Sequence, residues 1–287
     1  MIKIKRGLDI PLAGAPTQEL DTSLTTRAAG LIGPDYHGMK PTMAVQVGDS
    51  VKKGQLLFTD KKCEGVRYTA PAGGRVAAIN RGAKRAFQSI VIEVDGDEAE
   101  TFPQYTPESA RALNADDIKE QLIQSGQWTA IKARPFGRVA DPATTPSGLF
   151  ITAIDTHPHA PDPEQIIARE ADAFALGQAL LAEMVTCPVY LCAAPGSDIP
   201  ESGHERVSRH DFAGPHPAGL PGTHVHFLMG ASSQRIAWTI GYQDVIAVGR
   251  LFLDGALYTD RVIAITGPAA SKPRLVLSRL GADLQAL

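Results

Sequence analysis

Long apolar runs are absent from this sequence of 287 residues, and none approaches the roughly 20 residues that a helix needs to cross a bilayer. The N-terminus alternates charged and apolar residues and meets Pro11, so it lacks the continuous apolar core of a signal peptide. With 28 basic and 31 acidic residues, the net charge of -3 gives little attraction for nucleic acid or an anionic membrane surface. A protein of this kind that works at a membrane is expected to dock on another protein.

Cysteine is also scarce. Cys63, Cys187 and Cys192 form no CxxC pair and leave an odd count, which fits a reducing cytoplasm. Cys187 and Cys192 flank an apolar run that is typical of a strand, and free cysteines behave as small hydrophobic residues. We therefore interpret them as core or edge thiols and not as ligands of an iron-sulfur centre.

The first hundred residues alternate apolar and polar positions between glycine turns, as in 45–57 and 69–76, which predicts a sandwich of short strands. This pattern resembles a biotinyl/lipoyl carrier barrel. Lys61 and Lys62 fall near the position that carriers modify, but the flanking residues that a ligase reads are absent. A solvated hairpin tip is the favoured interpretation. We predict a structural or docking domain over residues 1–102, and a carrier protein remains the alternative.

The middle of the chain alternates strand and helix signals. A capping residue at Asn114 and a glycine at Gly126 predict a helix between them. A buried strand over 149–154, a long helix from Pro163 to Met184 and strands at 188–193 and 224–228 predict a parallel α/β domain over 103–255. Ligands of such sheets bind beyond the carboxyl ends of the strands, here 155–159 and 194–198.

The tail is predicted to be β-structure. Apolar runs at 244–249 and 251–253 lead into the turn Asp254-Gly255, and 261–267 is its expected hairpin partner. This pattern looks like the start of a soluble-ligand-binding β-grasp domain over residues 256–287.

Two unusual strings point to one family. The run from Phe212 to His224, FAGPHPAGLPGTH, and the opening IKIKRGLDIPLAG from Ile2 to Gly14 resemble the A subunit of the Na+-translocating NADH:quinone oxidoreductase, a bacterial respiratory sodium pump. The resemblance implies an α/β multidomain protein with a biotinyl/lipoyl-like barrel-sandwich domain, a Rossmann-like α/β domain and the beginning of a β-grasp domain. Members of that family are longer, so we expect the chain to be truncated at its C-terminus.

Relatives of the α/β domain that bind flavin or NADH, such as the flavin subunit of respiratory complex I, hold phosphate on a glycine-rich loop. At the matching place this chain reads SGQWTAIKARPFG, from Ser125 to Gly137, with bulky residues and a proline where phosphate needs bare amides. We expect that nucleotide binding has been lost and that the chain binds no cofactor. The alternative is a flavin- or NADH-binding redox subunit.

The histidines offer a second kind of chemistry. His157 and His159, and likewise His224 and His226, have the H-x-H spacing that places both rings on one face of a strand, as a zinc site requires. A zinc site would also need a third ligand and an activating carboxylate, such as Asp155 or Asp211, and no HExxH motif and no GxSxG elbow occurs. We therefore predict structural histidines, no metal and no catalytic residue.

Two loops combine aromatic, soft apolar and hydrogen-bond-donating side chains. They supply six candidate contacts for a quinone head group or for a partner subunit: Tyr36, His37, Met39, Arg134, Pro135 and Phe136. The same residue types are typical of protein-protein hot spots.

The resemblance implies a non-catalytic, peripheral subunit on the cytoplasmic face of the bacterial inner membrane. In that complex other subunits use NADH, flavins and iron-sulfur centres, and ubiquinone is the final acceptor. The expected partner is the membrane subunit that reduces quinone, and the chain itself is expected to have no transmembrane segment and no nucleic-acid partner.

Overall fold

Glycine and proline turns divide the chain into short elements in this computed structural model, which describes residues 1–286. The strands, in chain order, are β1 (Ile2–Lys3), β2 (Thr17–Asp21), β3 (Ala28–Ile32), β4 (Pro41–Met43), β5 (Ser50–Val51), β6 (Leu56–Asp60), β7 (Cys63–Thr69), β8 (Gly74–Arg81), β9 (Phe87–Val94), β10 (Lys132–Arg134), β11 (Arg138–Val139), β12 (Gly148–Ala153), β13 (Val189–Ala193), β14 (Val207–Ala213), β15 (Ala237–Gly241), β16 (Asp260–Ile265) and β17 (Arg274–Arg279). The helices are α1 (Pro107–Arg111), α2 (Ala115–Ser125), α3 (Pro163–Arg169), α4 (Ala171–Met184), α5 (Pro221–Leu228) and α6 (Tyr242–Asp254).

Residues 28–94 form the predicted sandwich of short strands. One sheet has the order β3-β9-β8-β5 and the other has the order β4-β6-β7, and every pairing in both sheets is antiparallel. Alternate residues of the strands point inward, so Phe58, Tyr68, Ile90 and Ile92 are almost completely buried. Strand alternation is therefore a reliable signal in this part of the chain.

The first 21 residues pair outside the sandwich. Strand β1 runs parallel to β14 at the edge of the α/β sheet, and β2 runs parallel to β17. Ile4 continues from β1 and is buried, whereas its neighbours Lys3 and Lys5 are exposed. The sequence pattern predicts a domain over residues 1–102, but it does not reveal which distant strand an edge strand such as β1 joins.

The α/β region is built on one seven-stranded sheet with the order β1-β14-β13-β12-β15-β10-β11. The strands from β1 to β15 in this order are parallel, whereas β10 runs antiparallel to β15 and forms an antiparallel hairpin with β11. All six residues of β12 are buried, as expected for a central strand that is covered on both faces. The predicted strands at 149–154 and 188–193 are confirmed.

The helix α2 begins and ends as its sequence predicts. The Asn114 side chain accepts a hydrogen bond from the Asp117 N–H at 2.9 Å, and Gly126 ends the helix with a φ of 81°. The predicted long helix from Pro163 to Met184 is instead two helices, α3 and α4. They are separated at Glu170, whose φ of -132° and ψ of 36° are not helical.

Different helices pack on the two faces of the sheet. Leu149 and Ile151 of β12 point into the main core with α2, α3, α4 and α6, whereas Phe150 points the other way into a smaller cluster with Val225 of α5. The small sheet β16-β17-β2 packs beside α6 through residues such as Val262 and Leu275.

Two predicted strands are helices. Residues 224–228 lie in α5, because Pro221 occupies its first turn, and the third parallel strand is β14. Residues 244–253 lie in α6, which ends at Gly255 with a φ of 63°, so the hairpin partner of β16 is β17. A short run rich in valine and isoleucine does not by itself distinguish a strand from a buried helix. Within residues 1–286, none of the helices is both long and apolar enough to cross a membrane.

Candidate functional site

A cavity of about 290 Å³ opens where the sandwich, the α/β region and the segment after α6 meet. The sandwich contributes Tyr36, which follows β3, and Tyr68 of β7. The α/β region contributes Lys132 of β10 and Asp244 of α6, and the later segment contributes Arg261 of β16. The cavity therefore depends on the contact between parts of the chain that are distant in sequence.

A lysine and a tyrosine form one wall of this cavity. The Lys132 Nζ atom lies 4.9 Å from the centre of the Tyr36 ring and donates a hydrogen bond to the Thr129 carbonyl oxygen at 2.9 Å. Burial lowers the pKa of Lys132, and the nearby carboxylates of Asp244 and Asp35 oppose that shift. Burial raises the pKa of Tyr36 to about 12, so its hydroxyl is protonated at neutral pH.

A second tyrosine presents a buried hydroxyl. Tyr68 stacks on Phe58 with ring centres 4.6 Å apart and meets the edge of Tyr36 at 4.8 Å. Its hydroxyl is buried and has no hydrogen-bond partner among the residues that the structure describes. Burial raises the pKa of Tyr68, with a smaller contribution from Asp60, so the group is a neutral donor. A buried donor without a partner costs free energy, on the order of 1–3 kcal/mol, which a ligand oxygen could recover.

The charged groups on the opposite wall neutralise one another. Arg261 donates from a terminal nitrogen to Asp244 Oδ1 at 2.6 Å, and both side chains are at least two-thirds buried. Lys132 has no carboxylate within ion-pair distance in residues 1–286. The cavity therefore offers an ammonium, a phenol and aromatic walls, which suit a planar molecule that carries carbonyl oxygens.

The six predicted contact residues lie on two neighbouring loops but do not converge on one cavity. The loops touch, since a Cβ atom on Gly38 would lie 3.3 Å from Arg138 Nε. Of the six, Tyr36 is the one that lines the cavity; His37 is exposed and Met39 packs on the core. At the tip of the β10–β11 hairpin, Pro135 and Phe136 are exposed, and the partly buried Arg134 has no hydrogen-bond partner for Nε among the described residues.

Sequence reasoning missed most of the cavity lining. Lys132 lies in the string 125–137, at the place where relatives have a nucleotide-binding loop. Nothing in the sequence of that string indicates that Lys132 lines a cavity. The sequence pattern assigns Asp244 and Arg261 to the two strands of a hairpin. In the structure Asp244 lies on helix α6 and Arg261 lies on strand β16, and the two form an ion pair. Their spacing of 17 residues carries no signal before the fold is known.

The two carrier lysines lie as the sequence predicts. Lys61 and Lys62 are exposed in the turn between β6 and β7, and the backbone N–H groups of Lys62 and of Lys40 both donate to Asp60 Oδ1 at 2.9 Å. The neighbouring Cys63 is half-buried, and burial raises the pKa of its thiol to about 11. Cys192 is buried and Cys187 is half-buried, so the described positions of all three thiols agree with a core or edge location.

The carboxyl ends of the central strands carry a histidine cluster. His157 Nδ1 lies 2.6 Å from Asp155 Oδ1, and the His157 and His216 rings are 5.1 Å apart. His216 is fixed by Thr156, whose hydroxyl oxygen lies 3.0 Å from the Nδ1 atom. No group of three or more metal-ligating side chains is found within residues 1–286.

The pair His224 and His226 does not share a face, which corrects the strand-based prediction. Both lie on helix α5, where positions two apart point in nearly opposite directions. His224 is completely buried and its Nε2 lies 2.9 Å from the Ala218 carbonyl oxygen, whereas His226 is exposed. The neutral ring of His224 therefore donates from Nε2.

The string 125–137 packs against the sandwich at its first residues, where the Thr69 hydroxyl donates to the Ser125 carbonyl oxygen at 2.7 Å. Gly126 ends helix α2, and a Cβ atom there would lie 2.3 Å from Thr69 Oγ1, so this glycine allows the sandwich to approach. The following residues form a 3-10 turn (Gln127–Ala130) and the antiparallel strand β10. The adjoining end of α2 is its C-terminus, which carries free carbonyl groups and no free N–H groups.

Comparison with known proteins agrees with this architecture. A family model described as the NqrA N-terminal barrel-sandwich hybrid domain matches residues 2–95, and one described as the NqrA second alpha/beta domain matches residues 113–257. The chain belongs to the NqrA family. It therefore has a barrel-sandwich domain followed by an α/β domain.

Relatives named as the A subunit of Na(+)-translocating NADH-quinone reductase match the whole chain. The relative from Pseudomonas aeruginosa (strain UCBPP-PA14) is 53% identical over 287 residues, which are 100% of this chain and 64% of the relative. Those from Marinomonas sp. (strain MWYL1) and Vibrio anguillarum are each 48% identical over the same shares. The chain thus spans just under two-thirds of the length of these relatives.

Proposed function

We propose that this chain acts as the A subunit of a Na+-translocating NADH:quinone oxidoreductase, an oxidoreductase complex that couples electron transfer from NADH to ubiquinone to Na+ export. The observation that carries the proposal is the similarity of the whole chain to relatives of that name, together with the match of both domains. In this role the chain is a non-catalytic peripheral subunit on the cytoplasmic face of the bacterial inner membrane. It docks on the membrane subunit that reduces quinone.

We also propose that the α/β domain is Rossmann-like and that the last strands begin a β-grasp domain. The four parallel strands β14-β13-β12-β15 have the order 3-2-1-4 by sequence, which is the order of the first four strands of a Rossmann sheet and supports a Rossmann-like domain. The antiparallel hairpin β16–β17 supports the start of a β-grasp domain, here with β2 as an additional parallel strand.

The chain fills this role without a cofactor of its own. The packing of Gly126 against Thr69 argues against a phosphate loop in the string 125–137. The segment after β12, from Ile154 to Asp162, contains no glycine to bring backbone amides close to a pyrophosphate. Flavins and iron-sulfur centres of the complex are assigned to other subunits.

The cavity beside Tyr36 is the proposed place for a quinone head group. A quinone ring fits between aromatic walls, and its carbonyl oxygens accept hydrogen bonds from the Tyr68 hydroxyl and the Lys132 ammonium. The exposed hairpin tip with Phe136 is suited to the partner subunit, because exposed aromatic side chains beside arginine are typical of interface hot spots.

Titration of the purified chain with a short-chain ubiquinone tests the quinone site. We expect one bound quinone per chain by native mass spectrometry, and Tyr68→Phe and Lys132→Met should each weaken binding by about tenfold. Tyr105→Phe is the matched control, since Tyr105 stacks on Phe252 away from the cavity lining. No uptake of quinone, or equal quinone binding by all the variants, would show that quinone does not bind in this cavity.

A second experiment separates docking from quinone binding. In the assembled complex, Phe136→Ala and Arg134→Ala should reduce co-purification of the membrane subunit without changing quinone uptake by the isolated chain. Unchanged co-purification of the membrane subunit with both variants would discard a docking role for this hairpin. A chain isolated with bound flavin, or with a mass increment on Lys61 or Lys62, would favour a flavin-binding subunit or a carrier instead.

A further inference from the structure

A groove of about 540 Å³ lies between strand β1 and helix α5, at the edge of the seven-stranded sheet. Its floor and apolar wall include Ile4, Thr223 and Phe227, and its rim includes Lys3 and Lys5. The Phe227 side chain is 52% exposed although it lies beside an apolar cluster. This edge is the end of the sheet opposite to the β10–β11 hairpin, about 25–30 Å away across six strand spacings.

The backbone of β1 has one free side. The Ile4 N–H donates to the Ala213 carbonyl oxygen of β14 at 2.8 Å. Successive residues of a strand direct their N–H and C=O groups to alternate sides, so Lys3 and Lys5 direct theirs away from β14. No other strand in the described part of the chain pairs with that side. Such an open edge is a template on which another strand can form.

The side chains of residues 3–5 make one face of this edge apolar and the other face basic. Ile4 is 6% exposed and packs on the side of α5, and alternation places Lys3 and Lys5 on the opposite face. A strand added beside β1 would insert every second side chain into the groove, against Ile4 and Phe227. Its remaining side chains would lie beside the two lysines.

The positive charge of this edge determines which side chains the added strand should carry. Lys3, Lys5 and Arg6 are exposed, and none of them forms an ion pair within residues 1–286. The nearby carboxylate of Asp9 accepts a hydrogen bond from the His216 backbone N–H at 2.9 Å. Acidic side chains on the added strand would therefore complement this edge, and basic ones would be repelled.

We propose that the β1 edge binds an extended segment of a partner protein in which apolar and acidic residues alternate, and that this segment joins the sheet as a strand next to β1. The apolar residues fill the groove beside Phe227, and the acidic residues pair with Lys3 and Lys5. The proposal does not rest on the quinone site or on the hairpin at the other end of the sheet.

Selection of random nonapeptides displayed on phage against the purified chain tests the proposal. The enriched sequences should alternate apolar and acidic residues. A labelled synthetic peptide of the enriched sequence should bind the chain by fluorescence anisotropy and should slow hydrogen exchange at the Lys3 and Lys5 amides by at least about tenfold.

Matched variants test each component of the interaction. Phe227→Ser and the double change Lys3→Glu with Lys5→Glu should each weaken the peptide by about tenfold or more. Val47→Ser and the double change Lys61→Glu with Lys62→Glu alter exposed residues elsewhere and should leave peptide binding unchanged. Lys5→Pro removes the outward N–H and should abolish binding, whereas Lys5→Ala should retain most of it.

Three results would overturn the proposal. One is the absence of any enriched peptide, or enriched peptides that still bind the Lys5→Pro variant. Another is binding to vesicles of phosphatidylglycerol and phosphatidylcholine that the lysine changes remove, which would assign the surface to a lipid headgroup. The third is concentration-dependent dimerisation that Lys5→Pro removes, which would assign the edge to a second copy of this chain.

Discussion

The two faces of the seven-stranded sheet are held by different physical means. On one face, α4 and α6 approach so closely that a Cβ atom on Gly177 would lie 2.1 Å from the Val245 carbonyl oxygen. On the other face, α5 has eight residues and covers a small apolar cluster, and the completely buried His224 packs on Phe212 of this cluster with ring centres 4.3 Å apart.

Because of this difference, the stability of the two faces should respond to different changes. The α4–α6 contact has no room for an added methyl group, so it depends on the volume of its residues. The α5 cluster depends on the charge of one ring, because His224 must remain neutral to stay buried. A change of volume should act on the first face, and a change of pH should act on the second.

The largest expected effect is that of Gly249→Ala in α6. A Cβ atom there would lie 1.9 Å from the Ala173 carbonyl oxygen of α4, so the two helices would have to separate. We expect a loss of about 3 kcal/mol in the free energy of unfolding, measured by denaturant titration, because overpacking outweighs the better helix propensity of alanine.

Gly222→Ala in α5 is the matched control. A Cβ atom at Gly222 meets nothing within 4 Å, so alanine should leave the stability unchanged or raise it by about 0.5–1 kcal/mol. Equal and small effects of the two substitutions would show that the α4–α6 face tolerates added volume, and the comparison of the faces would fail.

The contrast also shows how far the sequence could predict this fold. The strand alternation of the sandwich, the Asn114 cap and the buried strands β12 and β13 depend on local chemistry, and the structure confirms them. The helices α5 and α6 were predicted as strands, because their runs of valine, isoleucine and histidine are short and apolar on several sides.

The candidate site was harder to predict than the fold. The loop chemistry of Tyr36 pointed to a contact residue, but its neighbours in the cavity come from β7, β10, α6 and β16. A pairing such as Asp244 with Arg261 depends on the packing of α6 against the last hairpin. Nothing in the spacing of these residues encodes that packing.

The second prediction concerns the pH dependence of stability on the α5 face. Burial lowers the pKa of His224 from 6.5 to about 4 in the folded state. Between these values the unfolded chain binds more protons, so the stability from the neutral ring is complete above pH 6.5 and is lost as the pH falls towards 4. From pH 7 to pH 5 we expect a loss of about 2 kcal/mol.

Denaturant titrations of His224→Gln at several pH values provide the comparison. This variant should be less stable than the parent at pH 7 but should lose much less stability between pH 7 and pH 5. The lowered pKa of Asp21, at about 2, acts below this window, and the lowered pKa of His210 contributes in the same direction as His224. Identical pH slopes for parent and variant would show that the ring is not kept neutral by burial.

The smallest expected effect is that of Phe227→Ser, which lies on the same helix as His224 but faces the open groove. Since about half of this side chain is already exposed, the substitution should change the free energy of unfolding by no more than about 0.5 kcal/mol. Thermal unfolding would measure this effect, and a loss of about 2 kcal/mol or more would make Phe227 part of the α5 cluster. A small loss together with weakened peptide binding would mean that α5 keeps this apolar side chain in solvent for an interaction and not for the stability of the sheet.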